Sequence, residues 1–125
     1  MAKATGKEIN WLPDVAELNY AAAESYLSLL YGKKRVAEIL DKFRKAPIVR
    51  FKAKDIFRAS QLSVLGVSNS HVEKDRKRVH ERKCLSPLLL LRNKRDDKVV
   101  VADGYHRLCA VYEVNEDAWI HCKII

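Results

Sequence analysis

Two aliphatic runs separated by a charged segment constrain the fold of this chain most strongly. Residues 88–91 (LLLL) follow a proline, residues 99–102 read VVVA, and the segment between them is RNKRDDK. A strand covered on both faces loses the alternation of apolar and polar residues, so both runs are expected to be buried strands joined by an exposed turn. With the helical segments described next, they predict an α/β (α+β) domain.

Helical spacing of apolar residues predicts a helical hairpin in the first third of the chain. Residues 19–31 and 33–46 both repeat apolar positions every three or four residues, and Gly32 stands between them as a stop signal. Pro13 is tolerated in a first helical turn, so a helix can begin there. The stripes expected to be apolar are Ala22, Tyr26, Leu29 and Leu30, and then Val36, Ile39, Leu40 and Phe43. The aromatic residues expected to pack on the sheet are Trp11, Tyr20, Tyr26 and Tyr31.

Four further segments complete the pattern. Residues 48–52 alternate like a half-buried strand, and residues 118–125 alternate like a closing strand with His121 at its surface or edge. Residues 53–70 are rich in Ser, Gly and Asn and are predicted to form a loop or a broken turn. Ser70 and Glu73 match a capping box, which predicts a helix over residues 71–83 with a thin buried stripe.

Composition restricts the class of protein and of partner. With 125 residues, 48% of them hydrophobic, the chain suits a single domain. No apolar run approaches the roughly 20 residues that cross a bilayer, so we expect a cytoplasmic protein with no membrane partner. The cysteines at 84, 109 and 122 are expected to be buried thiols rather than a disulfide framework or a metal site. The net charge of +8 favours a polyanionic ligand.

The segment ADGYHRLCA joins the second aliphatic run to a helical pattern and carries the main candidate site. Gly104 lets the backbone bend between a strand ending at Asp103 and a helix that follows. The first N–H groups of that helix and its dipole form an anion site, and the adjacent basic residues His106 and Arg107 would suit a phosphate there. Open α/β sheets bind ligands at the carboxyl ends of their strands, which favours binding over a merely structural turn.

At this joint the chain resembles the ParB/sulfiredoxin superfamily, which carries Gly-x-x-Arg or Gly-Cys-His-Arg at the corresponding turn and binds nucleotide phosphates with it. Here the turn reads Gly104-Tyr105-His106-Arg107. The sequence IVRFKAKDIFRASQLSVL resembles the first strand of that family and its following loop, so Arg58 inherits a phosphate-contact role. The resemblance implies a small mixed sheet over residues 47–125, with residues 1–46 as an N-terminal helical extension packed on this core.

Departures from the family pattern narrow the activity. Sulfiredoxins need a cysteine where this chain has Tyr105, so sulfiredoxin chemistry is not expected. The Glu-Asn-x-x-Arg box of chromosome-partitioning ParB proteins is absent from the sequence. Free-serine kinases of the superfamily carry an Asp-Gly-His-His-Arg turn, but the catalytic glutamate of their first loop has no counterpart between Ile48 and Val72. Asp103 and His106 are the candidate acid/base pair, and whether the protein is an enzyme stays open.

A basic helix offers a second interpretation. The segment KDRKRVHERK holds six Lys or Arg against two acids, and Lys74, Arg78 and Arg82 recur every four residues. Such a row could neutralise phosphates of a nucleic-acid backbone, with little sequence preference because no aromatic residue is interleaved. A solvated helix with internal ion pairs explains the same pattern equally well.

Three functional hypotheses therefore stand. The first is a nucleotide- or phosphate-binding protein, with a nucleotide-dependent phosphotransferase or switch as its active forms. It would use the turn at 104–107 with Arg58 and bind ATP or CTP with Mg²⁺ held partly by Asp103. The second is a DNA-associated accessory protein that binds backbone phosphates through the basic helix. The third is an adaptor that docks a partner protein on the N-terminal helices. No metal site built from the protein alone is expected, and the oligomeric state is open.

Overall fold

The computed structural model describes residues 9–63 and 69–125, which form a four-stranded mixed sheet and five α-helices. The elements are α1 Glu17–Leu27, α2 Lys33–Lys45, β1 Val49–Lys52, α3 Ala53–Ser60, α4 Ser70–His80, β2 Leu88–Asn93, β3 Lys98–Asp103, α5 Tyr105–Val114 and β4 Trp119–Ile124. The α+β class predicted from the sequence is confirmed.

The sheet has the strand order β1-β4-β2-β3. β2 and β3 form an antiparallel hairpin that places Leu91 opposite Val100. β4 enters between β1 and β2, pairs antiparallel with β1 through Val49 and Cys122, and runs parallel to β2. The last strand along the chain is therefore a central strand.

Helices cover both faces of this sheet, which explains the two uninterrupted aliphatic runs. Leu88 and Leu90 point into one core, formed with α3, α4 and α5. Leu89 and Leu91 point into a second core, formed with α1 and α2. Every residue of the run is buried because alternate side chains enter different cores. The predicted buried hairpin with an exposed turn is confirmed.

A buried lysine joins the helical hairpin to the sheet. Lys123 of β4 is 3% exposed, and its ammonium group donates hydrogen bonds to the Tyr20 hydroxyl (2.9 Å) and to the Arg44 carbonyl (3.2 Å). Its Nζ also lies 3.2 Å from a carboxylate oxygen of Asp14. The charge is satisfied from both helices and the segment before them, as a buried ion requires.

The α1 prediction chose the wrong face. The residues of α1 that pack on the sheet are Tyr20, Ala23 and Leu27. The expected stripe is solvent-exposed instead, with Leu29 83% exposed, and Tyr26 does not pack on the sheet. Gly32 is the N-cap of α2 rather than a stop at the end of α1, which ends at Leu27. The α2 stripe is confirmed, since its residues Val36, Ile39 and Phe43 are buried.

The segment before α1 does not start a helix at Pro13. Helix α1 begins at Glu17. Trp11 instead forms an isolated parallel bridge with Leu85, and its ring stacks on His121 of β4 with the centroids 5.4 Å apart. Trp11 therefore packs on the sheet as expected, and His121 lies partly buried beneath it.

The predicted loop over residues 53–70 is wrong for its first half. Residues 53–60 form α3, which buries Ala53, Ile56, Phe57 and Ser60. These positions follow the i, i+3, i+4, i+7 spacing of a helix face, and their burial stabilises the helix up to Ser60. The Ser-rich stretch that follows is not part of α3. The sequence resemblance at Ser63-Val64-Leu65 falls, after Ser63, outside the described residues.

Helix α4 starts and ends differently from the prediction. Its cap is Asn69, whose side-chain oxygen accepts from the N–H groups of His71 and Val72, so the Ser70 capping box is wrong. The helix ends at His80, and Arg82 has a left-handed φ of 61°. Val72 and Val79 form the expected thin buried stripe.

Two of the three cysteines are buried as predicted, Cys109 and Cys122, whereas Cys84 is exposed. None of these three described cysteines forms a disulfide. Burial raises the pKa of the Cys122 thiol to about 12, so this side chain acts as a packed apolar group and not as a nucleophile. Among the described residues, no helix combines the length and the apolar character needed to span a membrane.

Candidate functional site

The turn between β3 and α5 depends on a glycine. Asp103 is the last residue of β3, Gly104 has a φ of +106°, and α5 begins at Tyr105. A Cβ at position 104 would lie 2.5 Å from Cγ of Leu88. Gly104 is also the N-cap of α5 and supplies no side-chain cap to the first N–H groups of the helix. The sequence therefore places a helix N-terminus without a side-chain cap directly after a buried strand.

Arg107 turns back toward the protein. Its Nε donates to the Ser86 carbonyl at 2.9 Å, and its Nη2 lies 2.9 Å from a carboxylate oxygen of Asp103 and 3.5 Å from the Pro87 carbonyl. The Arg107 and Asp103 side chains are 14% and 12% exposed. These contacts brace the turn against the residues that precede β2, so the guanidinium fork predicted to grip phosphate is largely engaged by the protein.

His106 faces α4 and meets a second histidine there. The rings of His106 and His71 have centroids 4.9 Å apart, and the first turns of α4 and α5 bring them together. Asp75 lies one turn along α4 from His71, and its carboxyl group interacts electrostatically with both imidazoles. Burial raises the pKa of the Asp75 carboxyl, and the positive charges of Arg107, Arg78, His106 and His71 act in the opposite direction. We call His71, Asp75 and His106 the His–Asp cluster.

Tyr105 fixes the other side of the turn. Its hydroxyl donates to the carbonyl of Ser63, beyond the end of α3, and its ring lies 5.7 Å from that of His106. Burial raises the pKa of Tyr105, and the neighbouring Cys109 adds to this effect. The turn therefore carries a hydrogen-bonded tyrosine directly after Gly104.

Among the remaining predicted site residues, Arg58 lies on another helix, whereas Arg78 lies 4.0 Å from the Asp75 carboxylate of this cluster. Arg58 lies on α3 with its side chain 84% exposed, and its ion-pair partner is Asp55 on the same helix, 3.8 Å away. Lys74 and Arg78 share the exposed side of α4. Arg82 does not continue their row, because the N–H groups of Arg82 and Lys83 bond back to Val79 and Arg78 and end the helix.

The sequence predicted that His106 pairs with Asp103, but in the structure the carboxylate that interacts with His106 is that of Asp75. Asp103 is bound to Arg107, whereas the carboxylate whose pKa responds to His106 is that of Asp75. A Mg²⁺ ion would compete with Arg107 for Asp103, so this carboxylate does not fit a metal-holding role. Among the described residues, no group of three or more His, Cys, Asp or Glu side chains is placed to hold a metal ion.

Sequence reasoning missed His71, Asp75 and Ser86. A signal for two of them was present, because His71 and Asp75 are four residues apart on one predicted helix and must share a face. Nothing local indicated that this face would meet the turn at 104–107. Ser86 contributes only its backbone carbonyl, which no side-chain pattern can identify.

No family model matches the chain, no curated protein matches it, and no solved structure matches its fold.

Proposed function

We propose that the protein is a ParB/sulfiredoxin-type domain that binds a nucleotide or another phosphate-bearing ligand at the N-terminus of α5. The observation that carries the proposal is the His–Asp cluster beside that N-terminus. Backbone N–H groups at a helix start attract anions, and the imidazoles of His106 and His71 stand next to them from two different helices. Neither histidine alone would define a ligand site.

In this proposal Arg107 positions the turn and contributes positive potential, while His106 and His71 contact the ligand. A phosphate accepts hydrogen bonds from N–H donors, and charge-assisted bonds of this kind contribute about 1.5–3 kcal/mol each. Gly104 allows the backbone to come close to a phosphate because no side chain intervenes. ATP or CTP with Mg²⁺ is the ligand class that the family resemblance implies, with the metal held by the phosphates.

The same site could also support phosphoryl transfer from a bound nucleotide. Phosphoryl transfer needs mainly positioning and charge neutralisation together with a base that reaches the acceptor. Asp75 beside His106 is the carboxylate suited to that role, because Asp103 is held by Arg107.

Calorimetric titration of inorganic phosphate, ATP and CTP, each with and without Mg²⁺, tests the proposal. We expect His106→Ala and His71→Ala each to weaken nucleotide binding by at least about tenfold, the loss of one charge-assisted hydrogen bond. His80→Ala, which changes the same residue type at the other end of α4, is the matched control and should bind like wild type. Arg107→Ala is unsuitable because it also removes the brace of the turn.

The proposal fails if neither phosphate nor nucleotide binds the wild-type protein, or if both histidine variants bind as tightly as the control. Release of inorganic phosphate from ATP or CTP, followed in the same samples, separates an enzyme from a binding protein. Loss of release in Asp75→Asn with retained binding would identify the base.

A further inference from the structure

A basic cleft lies on the far side of the sheet from the His–Asp cluster. It opens between α2 and the turn that joins β2 to β3, has a volume of about 380 Å³, and has Ile39 and Leu91 in its lining. We call it the hairpin cleft. The cationic and aromatic side chains that line it are Tyr31, Arg35, Lys42, Arg92, Lys94 and Arg95.

Its positive charge is available to a ligand. Five cations, from α2, β2 and the turn after β2, converge on the cleft. Glu38 is the acidic side chain of its lining, and Asp96 lines the adjoining cavity. None of the ion pairs found within residues 9–63 and 69–125 involves these five cations. On α4, by contrast, Arg76 and Arg78 lie 3.7 and 4.0 Å from Glu73 and Asp75. The hairpin cleft is therefore the less neutralised of the two basic surfaces.

The backbone of the turn that carries Lys94 and Arg95 is ordered by the Asn93 side chain. The side-chain oxygen of Asn93 accepts from the N–H groups of Arg95 (3.1 Å) and Asp96 (3.2 Å), and its amide donates to the Asp96 carboxylate (3.1 Å). This closed turn engages the Asp96 carboxylate and fixes the backbone of Lys94 and Arg95 beside the cleft. On the opposite wall the Arg35 guanidinium lies 4.9 Å from the Tyr31 ring centroid.

We propose that the hairpin cleft binds the phosphodiester backbone of single-stranded nucleic acid. The cleft is larger than one phosphate needs, and its cations are spread along two walls, which suits a chain of phosphates. Three of the five cations are arginines, whose planar forks bind phosphate oxygens in pairs. The Arg35 guanidinium, supported from below by the Tyr31 ring, offers a plane on which a base can stack, and such stacking distinguishes single strands from duplexes. This site and its ligand are independent of the function proposed for the α5 turn.

Fluorescence anisotropy with a labelled single strand of about 12 nucleotides, a length within the usual site sizes of such proteins, tests the inference. The variant Arg35→Gln/Lys42→Gln/Arg95→Gln should bind at least tenfold more weakly than wild type. Its log–log salt dependence should be shallower by about 2, because each phosphate contact to a single strand contributes about 0.7. Tyr31→Leu should lower affinity without changing this slope.

The matched control removes the same charge from α4 as Lys74→Gln/Lys77→Gln/Arg78→Gln. We expect it to lose far less affinity than the cleft variant. Equal losses would show attraction by net charge alone and would overturn the proposal, as would tighter binding of a duplex or absence of binding by the wild type. The single reversal Arg95→Glu, at an exposed turn position, repeats the test should the triple variant unfold.

Discussion

Gly104 is the residue on which the candidate site most depends. Its φ of +106° is unfavourable for a side chain, and an added Cβ would meet Leu88 at 2.5 Å and the Arg107 guanidinium at 3.0 Å. We expect Gly104→Ala to lower the free energy of unfolding by about 2–4 kcal/mol through backbone strain and overpacking. Urea denaturation followed by circular dichroism measures this.

Gly32→Ala is the control for that substitution. Gly32 has a φ of −71°, and nothing lies within 4 Å of an added Cβ. The loss of a favoured N-cap residue and the gain from a stiffer unfolded chain should cancel within about 0.5 kcal/mol. Equal effects of the two substitutions would mean that the turn at 104 is not strained by a side chain.

At the residue scale the sequence located the turn between β3 and α5 better than it predicted the contacts of each side chain. A glycine flanked by an acid and two bases, at the end of an aliphatic run, was enough to locate the turn. The direction of Arg107 was not predictable, because its partners at Ser86 and Pro87 are backbone carbonyls from another part of the chain. His71 and Asp75 joined the site only through the packing of α4 on α5.

At the element scale, the start of α4 shows how a motif can be assigned one residue too late. Asn69 accepts two N–H bonds at the helix start, whereas the sequence pattern favoured Ser70. We expect Asn69→Ala to cost about 1 kcal/mol of stability, the usual value of an N-cap. Ser70→Ala should change stability by less than about 0.5 kcal/mol, since it lies inside the first turn. Thermal unfolding of both variants measures the two losses of stability. A larger loss for Ser70→Ala than for Asn69→Ala would support the Ser70 capping box instead.

Two other elements show what local patterns leave open. α1 carries apolar residues on two faces, and only contact with the sheet decides that Tyr20, Ala23 and Leu27 are buried. α3 was predictable in principle, since Ala53, Ile56, Phe57 and Ser60 have the spacing of a helix face, but its eight residues precede a Ser-rich stretch that obscured the pattern. The strand segments at residues 88–91 and 99–102 are apolar throughout, and they were predicted well because burial on both faces demands such a run.

At the scale of the whole molecule, Lys123 connects the sheet to both N-terminal helices. Replacing it as Lys123→Met keeps the length of the side chain but leaves the Tyr20 hydroxyl and the Arg44 carbonyl without their donor. We expect a loss of about 1–3 kcal/mol at neutral pH. Lys45→Met, which removes an exposed ion pair with Asp41, is the control and should cost less than about 0.5 kcal/mol.

The same lysine predicts a pH dependence. Burial alone would lower the pKa of Lys123, but hydrogen bonds with Tyr20 and Asp14 raise it above the ordinary value of 10.5. Because the pKa of Lys123 is higher in the folded than in the unfolded state, protonation of its amine stabilises the fold. This stabilisation is fully present below pH 10.5 and is lost as pH rises through the pKa of the folded state. Wild type should therefore lose stability more steeply than Lys123→Met in alkaline solution above pH 10.5, measured by urea denaturation. If stability falls equally with pH in both proteins, Lys123 is not the source of this pH dependence.

The sheet order itself was beyond local reasoning, and it has a kinetic consequence. β1 finds its partner only when residues 119–124 have been made, because β4 lies between β1 and the β2–β3 hairpin. Until then a growing chain holds an unpaired strand, a separate hairpin and helices without a complete surface to cover. Since such distant pairings are slow to close, the domain should acquire its structure late during synthesis and in one cooperative step rather than piece by piece.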